Sequence, residues 1–479
     1  MYDICIIGAG TVGMNLAREL AKYKLDICVL EKEADVSCGC SKGNSGIVHG
    51  GYSDKPGTLK AELCVKGNRM YEKLESELHF GYRQTGSFVL AFSEEELVTL
   101  QTLYEYGVTN GVKGLKIMDA AETKQYEPHV SDAVKASLYC KNAGVVSPYE
   151  FVIALAENSI KNGVKLLLEH KVEKIEKEND IFLITTNKGA VKAKFVVNAA
   201  GLYSDAVAAM VGIDKYKITP RRGQYVILDK EQSHLVKSVI FQCPTKLGKG
   251  ILVTATYHGN LMIGPNAEEI DAKDDVGTDE KTLQYITKTA RKSVPDIDMR
   301  KALKSFAGNR PVSNQKDWVI EESTVKGFIN LLGIDSPGLT SSPAIALKVI
   351  DILKNIGLKL EKKLNFIAER KPIIRKKTAD FKGVIDSPDP ELNIICRCEQ
   401  VTEAEIIDCL HRGIPVKSVD AVGRRTRASY GRCQNAFCGP RIRKLLAREL
   451  DVPIEAIGEK GKETSGLAQR AKRMSLMKM

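Results

Sequence analysis

The chain opens on a short apolar run, Ile4 to Ile7, which the glycines after it mark as a buried strand. Gly8-Ala9-Gly10-Thr11-Val12-Gly13 follows, Leu16, Ala17 and Leu20 then recur at helical spacing, and a second apolar run, Leu25 to Leu30, ends at an acid, Glu31. The pattern predicts a βαβ unit over the first thirty residues. Phe195 to Gly201 and Phe328 to Gly333 read as further strands that stop at a glycine, and the second leads through Ser336-Pro337-Gly338-Leu339-Thr340 into a helical stretch, Ala344 to Leu353. Between them, alternating apolar positions at Gly223 to Leu228 and Ile251 to Thr256 predict an inserted, mainly antiparallel sheet. From 371 to 393 the prolines Pro372, Pro388 and Pro390 and the lack of periodicity predict a linker. Residues 394–457 form a separate cysteine- and arginine-rich unit, and 458–479 a polar, basic tail. There is no internal repeat.

With 479 residues, 43% hydrophobic and 27% charged, the chain is long enough to bury a large core without disulfide or metal staples. This composition excludes a disordered, collagenous or coiled-coil protein. No window of about 18 uninterrupted apolar residues occurs, and the N-terminus lacks a basic leader, so a cytoplasmic protein without a transmembrane segment is expected. Peripheral membrane association through the basic tail stays open. The 12 cysteines are then reduced thiols, and clustered ones are metal ligands or redox groups. The net charge of +11 concentrates after residue 360. No nucleic-acid partner is expected, because no aromatic stacking platform accompanies the basic residues.

The strand, three glycines, helix, second strand and acid together predict a dinucleotide site. Gly8 permits the tight turn, Gly10 the approach of a pyrophosphate, and Gly13 close packing of helix on strand, while the helix N-terminus offers unpaired N–H groups. Glu31, eighteen positions after Gly13, suits ribose hydroxyls. A site opened at residue 3 and completed some 190 and 330 residues later is similar to that of flavoproteins, whose FAD is embedded across the chain. The helix after Thr340 can then point its positive end at a reduced, anionic flavin edge.

The segment Cys38 to Tyr52 holds five glycines in fifteen residues, which implies backbone packed closely against something flat or charged. His49 stands among them, suited to take a hydroxyl proton while hydride leaves the adjacent carbon. Cys38 and Cys40 read as small loop residues, a redox or metal pair being the alternative.

The runs Asn44-Ser45-Gly46-Ile47-Val48-His49-Gly50-Gly51-Tyr52, Gly144 to Glu150, Asn198 to Asp205 and Gly333 to Thr340 resemble the D-amino-acid-oxidase-like FAD superfamily, and within it the branch of type II glycerol-3-phosphate oxidases and dehydrogenases and L-2-hydroxyglutarate oxidases. The resemblance covers about residues 1–365. It implies a Rossmann-type α/β FAD domain with an inserted, mainly antiparallel substrate domain, together spanning 1–370. It implies His49 as catalytic base and Arg310, in Gly308-Asn309-Arg310-Pro311, as the binder of the substrate's anionic end, with Tyr257, His258 and Ser336 lining the pocket. The guanidinium of Arg310 suits such an anion on physical grounds too, a structural ion pair being the alternative. It further implies FAD contacts at Gly8, Gly10, Gly13, Glu31, Lys32, Ser41, Asn44, Ser45, Gly46, Ala200, Gly201, Gly333, Gly338, Leu339 and Thr340.

Cys396-Arg397-Cys398 precedes Cys433 and Cys438 by 34 residues, counted from Cys398 to Cys433. Four thiolates suit a [2Fe–2S] cluster, and the short first pair fits structural zinc less well. Arg397, Arg424, Arg425, Arg427 and Arg432 can offset the charge, and Cys409 lies in a helical pattern away from the ligands. Residues 394–450 resemble the bacterioferritin-associated-ferredoxin-like [2Fe–2S] domain, which implies Cys396, Cys398, Cys433 and Cys438 as ligands in a small helical domain. The two resemblances imply FAD-dependent oxidation of sn-glycerol 3-phosphate, a small anionic hydroxy-substrate, with electrons leaving through the cluster to a flavoprotein subunit, quinone or carrier. A 2-hydroxy acid such as L-2-hydroxyglutarate is the nearest alternative; an amine dehydrogenase and an electron-relay subunit without its own substrate are the others.

Overall fold

The computed structural model describes residues 1–244, 250–378 and 380–460, and it divides into two compact units that meet in the sequence at Glu369 and Arg370. The first unit holds the predicted βαβ: strand Tyr2–Ile7, helix Thr11–Leu20 and strand Ile27–Leu30. The second strand starts two residues later than expected, because the Asp26 N–H is taken by the Asp3 carboxylate (2.9 Å). Tyr2–Ile7 is the centre of an eight-stranded sheet, flanked in parallel by Ile27–Leu30 and Gly189–Asn198. The last of these pairs in parallel with Phe328–Leu332. Every residue of Ile27–Leu30 and Phe328–Leu332 is buried, as parallel strands covered on both faces require. Three of the predicted flavin segments therefore end side by side at the carboxyl edge of one sheet, where open α/β sheets bind their ligands.

The inserted sheet has nine strands and is mainly antiparallel, the pairing of Val239–Gln242 with Ser87–Ala91 being parallel. Its backbone is the long pair Ile218–Leu228 and Ala302–Ser313, which sets Arg310 opposite Arg221 and Gly308 opposite Gly223. Alternation along Gly223 to Leu228 and Ile251 to Thr256 corresponds to strands Ile218–Leu228 and Leu252–Ala255 in this sheet. A core of Phe88, Val226, Val253, Leu261 and Ile286 fills one face. The helix expected from Ala344 begins at Gly338 and runs to Asn355. Among the described residues no helix is long and apolar enough to cross a membrane.

The second unit is built on the hairpin Ile394–Cys396 and Val401–Thr402 and the helices Glu403–Leu410, Val419–Thr426 and Cys438–Leu450. Thr402 caps the first helix in a reciprocal capping box with Glu405. The stretch read as a linker, 371–393, is not a free spacer. Ile373 is 2% exposed in the core with Ile395, Val422 and Ile442, and the buried Glu405 carboxylate accepts the Arg375 N–H (2.7 Å) and pairs with Lys377 (2.7 Å). Proline content suppressed the periodic signal, yet these contacts, with the Ala404 N–H on the Pro390 carbonyl (3.0 Å) and Arg441 on Asp386 (2.5 Å), strap the segment down. Of the expected tail, Gly458 and Glu459 accept the N–H groups of Val419 (3.3 Å) and Asp420 (2.9 Å), while 461–479 lie outside the described residues.

Candidate functional site

The glycine turn is tight enough to explain each glycine. Gly8 has φ +109°, and a Cβ there would lie 2.5 Å from the Ala199 carbonyl oxygen; at Gly13 it would lie 2.0 Å from that of Gly8. Ala200 thus abuts the turn, and Gly201 after it has φ +56°. Gly10 caps the helix without a side chain, its first turn carries no acid, and Ser41 Oγ accepts the Thr11 N–H (2.9 Å). Helix Gly338–Asn355 likewise has no capping side chain and no acid in its first turn. Helix Glu94–Thr109, by contrast, is capped by Ser93 and opens on three glutamates. Two helix ends that lack negative charge of their own fit an anionic, diphosphate-bearing flavin cofactor.

Glu31 accepts the Ala9 N–H (2.8 Å) through one oxygen and the Glu33 N–H (3.0 Å) through the other; burial pushes its carboxyl up, and these bonds pull it back. Lys32 points outward, paired with Glu33 (2.7 Å) and over the Tyr203 ring (4.6 Å). Asn44 braces its own loop: its amide donates to the Cys40 (3.0 Å) and Ser41 (2.8 Å) carbonyls, and its oxygen accepts the Gly46 N–H (2.8 Å). Gly333, at φ +69°, leaves room for Ser313, and the Leu339 carbonyl accepts the Tyr71 hydroxyl (2.6 Å).

His49 and Thr340, 291 positions apart, meet directly: the His49 N–H donates to Thr340 Oγ1 (2.9 Å), which donates to the Ile47 carbonyl (3.2 Å). The imidazole stacks on Phe241 at 5.9 Å and 26°. The loop that carries His49 is thereby tied to the open end of helix Gly338–Asn355.

Arg310 is half-buried, and its guanidinium is held by backbone carbonyls: Nη2 donates to Asn266 (2.7 Å) and Arg222 (3.4 Å), Nε to Arg221 (3.3 Å). It lies over Gly223, where a Cβ would come within 2.9 Å of Nη2. No carboxylate among the described residues forms an ion pair with it, so the charge is oriented but not neutralised. The strand also crosses the flavin loop, since a Cβ at Gly308 would lie 1.8 Å from the Gly43 carbonyl oxygen. Burial pushes the Cys40 thiol up to about 11, with the nearby Arg310 pulling it down. Cys40 is therefore a neutral thiol, close to the arginine.

Tyr257 and His258 sit in the turn after strand Leu252–Ala255, edge to face at 5.0 Å. His258 Nε2 contacts Glu150 Oε1 at 2.5 Å, and the same oxygen accepts the Ser147 hydroxyl (2.8 Å). Ser336 lies in the turn that opens helix Gly338–Asn355, beside Asp335, whose carboxylate accepts from Lys60 (2.6 Å) and Trp318 Nε1 (2.9 Å). Three residues near the site escaped the sequence reading. Tyr225, 3% exposed, stacks on Phe306 (4.6 Å, 4°); burial pushes its hydroxyl up, while Arg310 and a hydrogen bond with Ser45 act against this. Alternation from Gly223 places it on the face that carries Arg310, a signal present in the sequence. Phe241 and Glu150 left no such signal.

The four cysteines come together as two pairs, Cys396 with Cys438 and Cys398 with Cys433. Cys396 is held well below the usual thiol range by a hydrogen bond from Cys438, against burial, and by the N–H groups of Glu399 and Ser429. Among the described residues no three Cys, His, Asp or Glu side chains converge on a single metal position. Two pairs, rather than one tetrahedron, fit a two-iron cluster better than a zinc ion. Cys409 is 1% exposed in the helical core.

A glycine cradle at a parallel sheet edge, a histidine loop tied to a second helix end, and paired cysteines on a separate unit define a flavin-dependent oxidoreductase with an iron–sulfur domain. The chain belongs to the FAD dependent oxidoreductase family, whose profile matches residues 3–352; that of the BFD-like [2Fe-2S] binding domain matches 394–448. It is 49% identical to a glycerol 3-phosphate dehydrogenase of Caloramator mitchellensis, over 97% of this chain and 98% of that one. An L-2-hydroxyglutarate dehydrogenase of Nematostella vectensis is 34% identical over 56% of this chain and 62% of its own. Among solved structures, the dithionite-reduced, FAD-bound L-alpha-glycerophosphate oxidase of Mycoplasma pneumoniae superposes with a TM-score of 0.74 at 30% identity, covering 77% of this chain and 98% of that chain. FAD and a [2Fe–2S] cluster are accordingly the cofactors, the second serving electron transfer.

Proposed function

We propose that the chain oxidises sn-glycerol 3-phosphate to dihydroxyacetone phosphate. The observation that carries this reading is Arg310, a half-buried guanidinium aimed by three carbonyls and left without a carboxylate partner among the described residues. A half-buried cation so placed calls for an anionic substrate group, and a guanidinium meets phosphate with paired hydrogen bonds. The glycerol 3-phosphate dehydrogenase relative, similar along both units, supports phosphate over carboxylate. His49 receives the proton of the substrate hydroxyl, and its ring is steadied for this by Phe241. Tyr257, His258 and Ser336 line the pocket, with Glu150 fixing the His258 ring. The glycine turn, Ser41 and the ends of the two uncapped helices hold the cofactor. FAD supplies the acceptor for the two electrons that leave the substrate carbon, and the cysteine pairs hold the centre that passes them to a partner protein or carrier.

The test is an anaerobic titration of the cofactor-loaded protein with sn-glycerol 3-phosphate, following flavin absorbance. Prompt bleaching is expected. No bleaching by sn-glycerol 3-phosphate, with bleaching by L-2-hydroxyglutarate, would overturn the assignment in favour of a 2-hydroxy acid.

A further inference from the structure

Cys398 is exposed, whereas its neighbours Cys396 and Cys438 are buried and Cys433 is half-buried. The cluster site therefore has one edge at the surface, and the residues beside that edge are uneven in charge. Arg397, directly before Cys398, and Arg432, directly before Cys433, are both exposed. The acid in these ligand-bearing segments, Glu399, is turned inward, its side chain 6% exposed and 3.6 Å from Arg427 Nε. Phe437, directly before Cys438, carries the Arg397 guanidinium over its ring at 4.4 Å and that of Arg441 at 5.6 Å; Arg441 is anchored to Asp386 (2.5 Å). Stacking on Phe437 holds Arg397 next to the exposed thiol instead of letting it wander into solvent. Across residues 394–450 eleven Lys+Arg stand against six Asp+Glu.

The cluster's charge alone does not account for this arrangement, because the buried Arg424 and Arg425, together with Arg427, already supply cations to the unit's interior. Arg397 and Arg432 face outward at the edge from which a single electron has the shortest way out. A quinone would need an apolar slot there, and the exposed neighbours Gln400 and Ala436 offer none. A positive rim around a redox edge instead recruits a negatively charged protein and steers its encounter.

We propose that the face formed by Arg397, Cys398 and Arg432 docks an acidic one-electron carrier protein. The inference rests on the reading that electrons leave through the cysteine-bound centre. Each substrate oxidised releases two electrons and two protons; two carrier molecules take one electron each, and the protons pass to solvent.

The experiment uses the full-length, cofactor-loaded protein and an acidic rubredoxin as probe, with affinity measured by calorimetry in the absence of substrate. Binding is expected at low ionic strength and about tenfold weaker at high ionic strength, as exposed charge pairs are screened. Arg397→Glu with Arg432→Glu is expected to weaken binding by about tenfold or more, with the cluster's visible spectrum unchanged; Arg397→Gln with Arg432→Gln gives an intermediate loss and guards against misfolding of the charge-reversed protein. Equal affinity of wild type and both variants overturns the proposal, as does equal binding of a basic cytochrome c. So does a charge reversal that leaves rubredoxin binding intact and instead slows reduction of the cluster by the protein's own flavin, because the face then serves the first unit. Failure of the substrate assignment is read separately, as absence of flavin bleaching by sn-glycerol 3-phosphate in wild type and variants alike.

Discussion

The flavin site and the cysteine site are built on opposite plans. The first gathers Gly8, Ser41, His49, Ala200, Arg310 and Thr340 from across more than three hundred residues and holds Ser41, His49, Arg310 and Thr340 through hydrogen bonds that each involve a backbone group. The second takes its four thiols from 43 consecutive positions, 396–438, of a small unit and leaves one of them exposed. The difference fits the proposed tasks. Chemistry on a bound substrate needs fixed geometry and exclusion of water, whereas exchange of single electrons with a partner needs an edge within reach.

If this contrast is right, damage to one site should spare the other. Cys438→Ser is expected to abolish the cluster's visible absorption while leaving the rate of flavin bleaching by sn-glycerol 3-phosphate within about twofold of wild type, because its partners lie wholly within the second unit. His49→Ala should slow that bleaching by about 10²- to 10⁴-fold, as loss of a general base does, with the cluster spectrum intact. Stopped-flow absorbance reads both. Arg310→Met should raise the substrate concentration for half-maximal bleaching by roughly 10- to 100-fold, the loss of a charge-assisted hydrogen-bonding partner, with the limiting rate changed less. A variant that instead lowers only the limiting rate would remove Arg310 from anion binding. Ile373→Ala should destabilise the second unit by about 2–4 kcal/mol in calorimetry without moving the flavin spectrum.

Thiol chemistry sharpens the same contrast at smaller scale. With the Cys40 thiol pushed up to about 11 by burial, roughly one molecule in a thousand carries the thiolate at pH 8, and the fraction rises tenfold for each pH unit. In cofactor-free protein, iodoacetamide at that pH should label the exposed Cys398 well before Cys40, as peptide mapping would show.

The sequence was most legible where local rules act. The βαβ turn, its three glycines and the cysteine spacings could be read because each is a short pattern with one physical purpose. The antiparallel insert was legible as alternation, but not its register, and register is what brings Arg310 over Gly223 and opposite Arg221. The tie between His49 and Thr340 spans 291 positions, so no local pattern reports it; only the resemblance put both residues in one site. Asn44 and Lys32 sit within the expected segment, yet their side chains brace the loop and face outward, which adjacency in sequence does not reveal. The segment 371–393 was misread for the opposite reason: prolines hide a strap whose anchors include Ile373 and the backbone of Arg375.

That strap bears on how such an iron–sulfur module could be moved from one protein to another. The family profile begins at residue 394, after the strap has already crossed the core. A graft cut there would carry all four ligands and yet leave the Ile373 position hollow and the Glu405 carboxylate short of two of its contacts. The portable piece is therefore longer than the recognisable one: its leading edge is Arg370, and what looks like spacer travels as cargo.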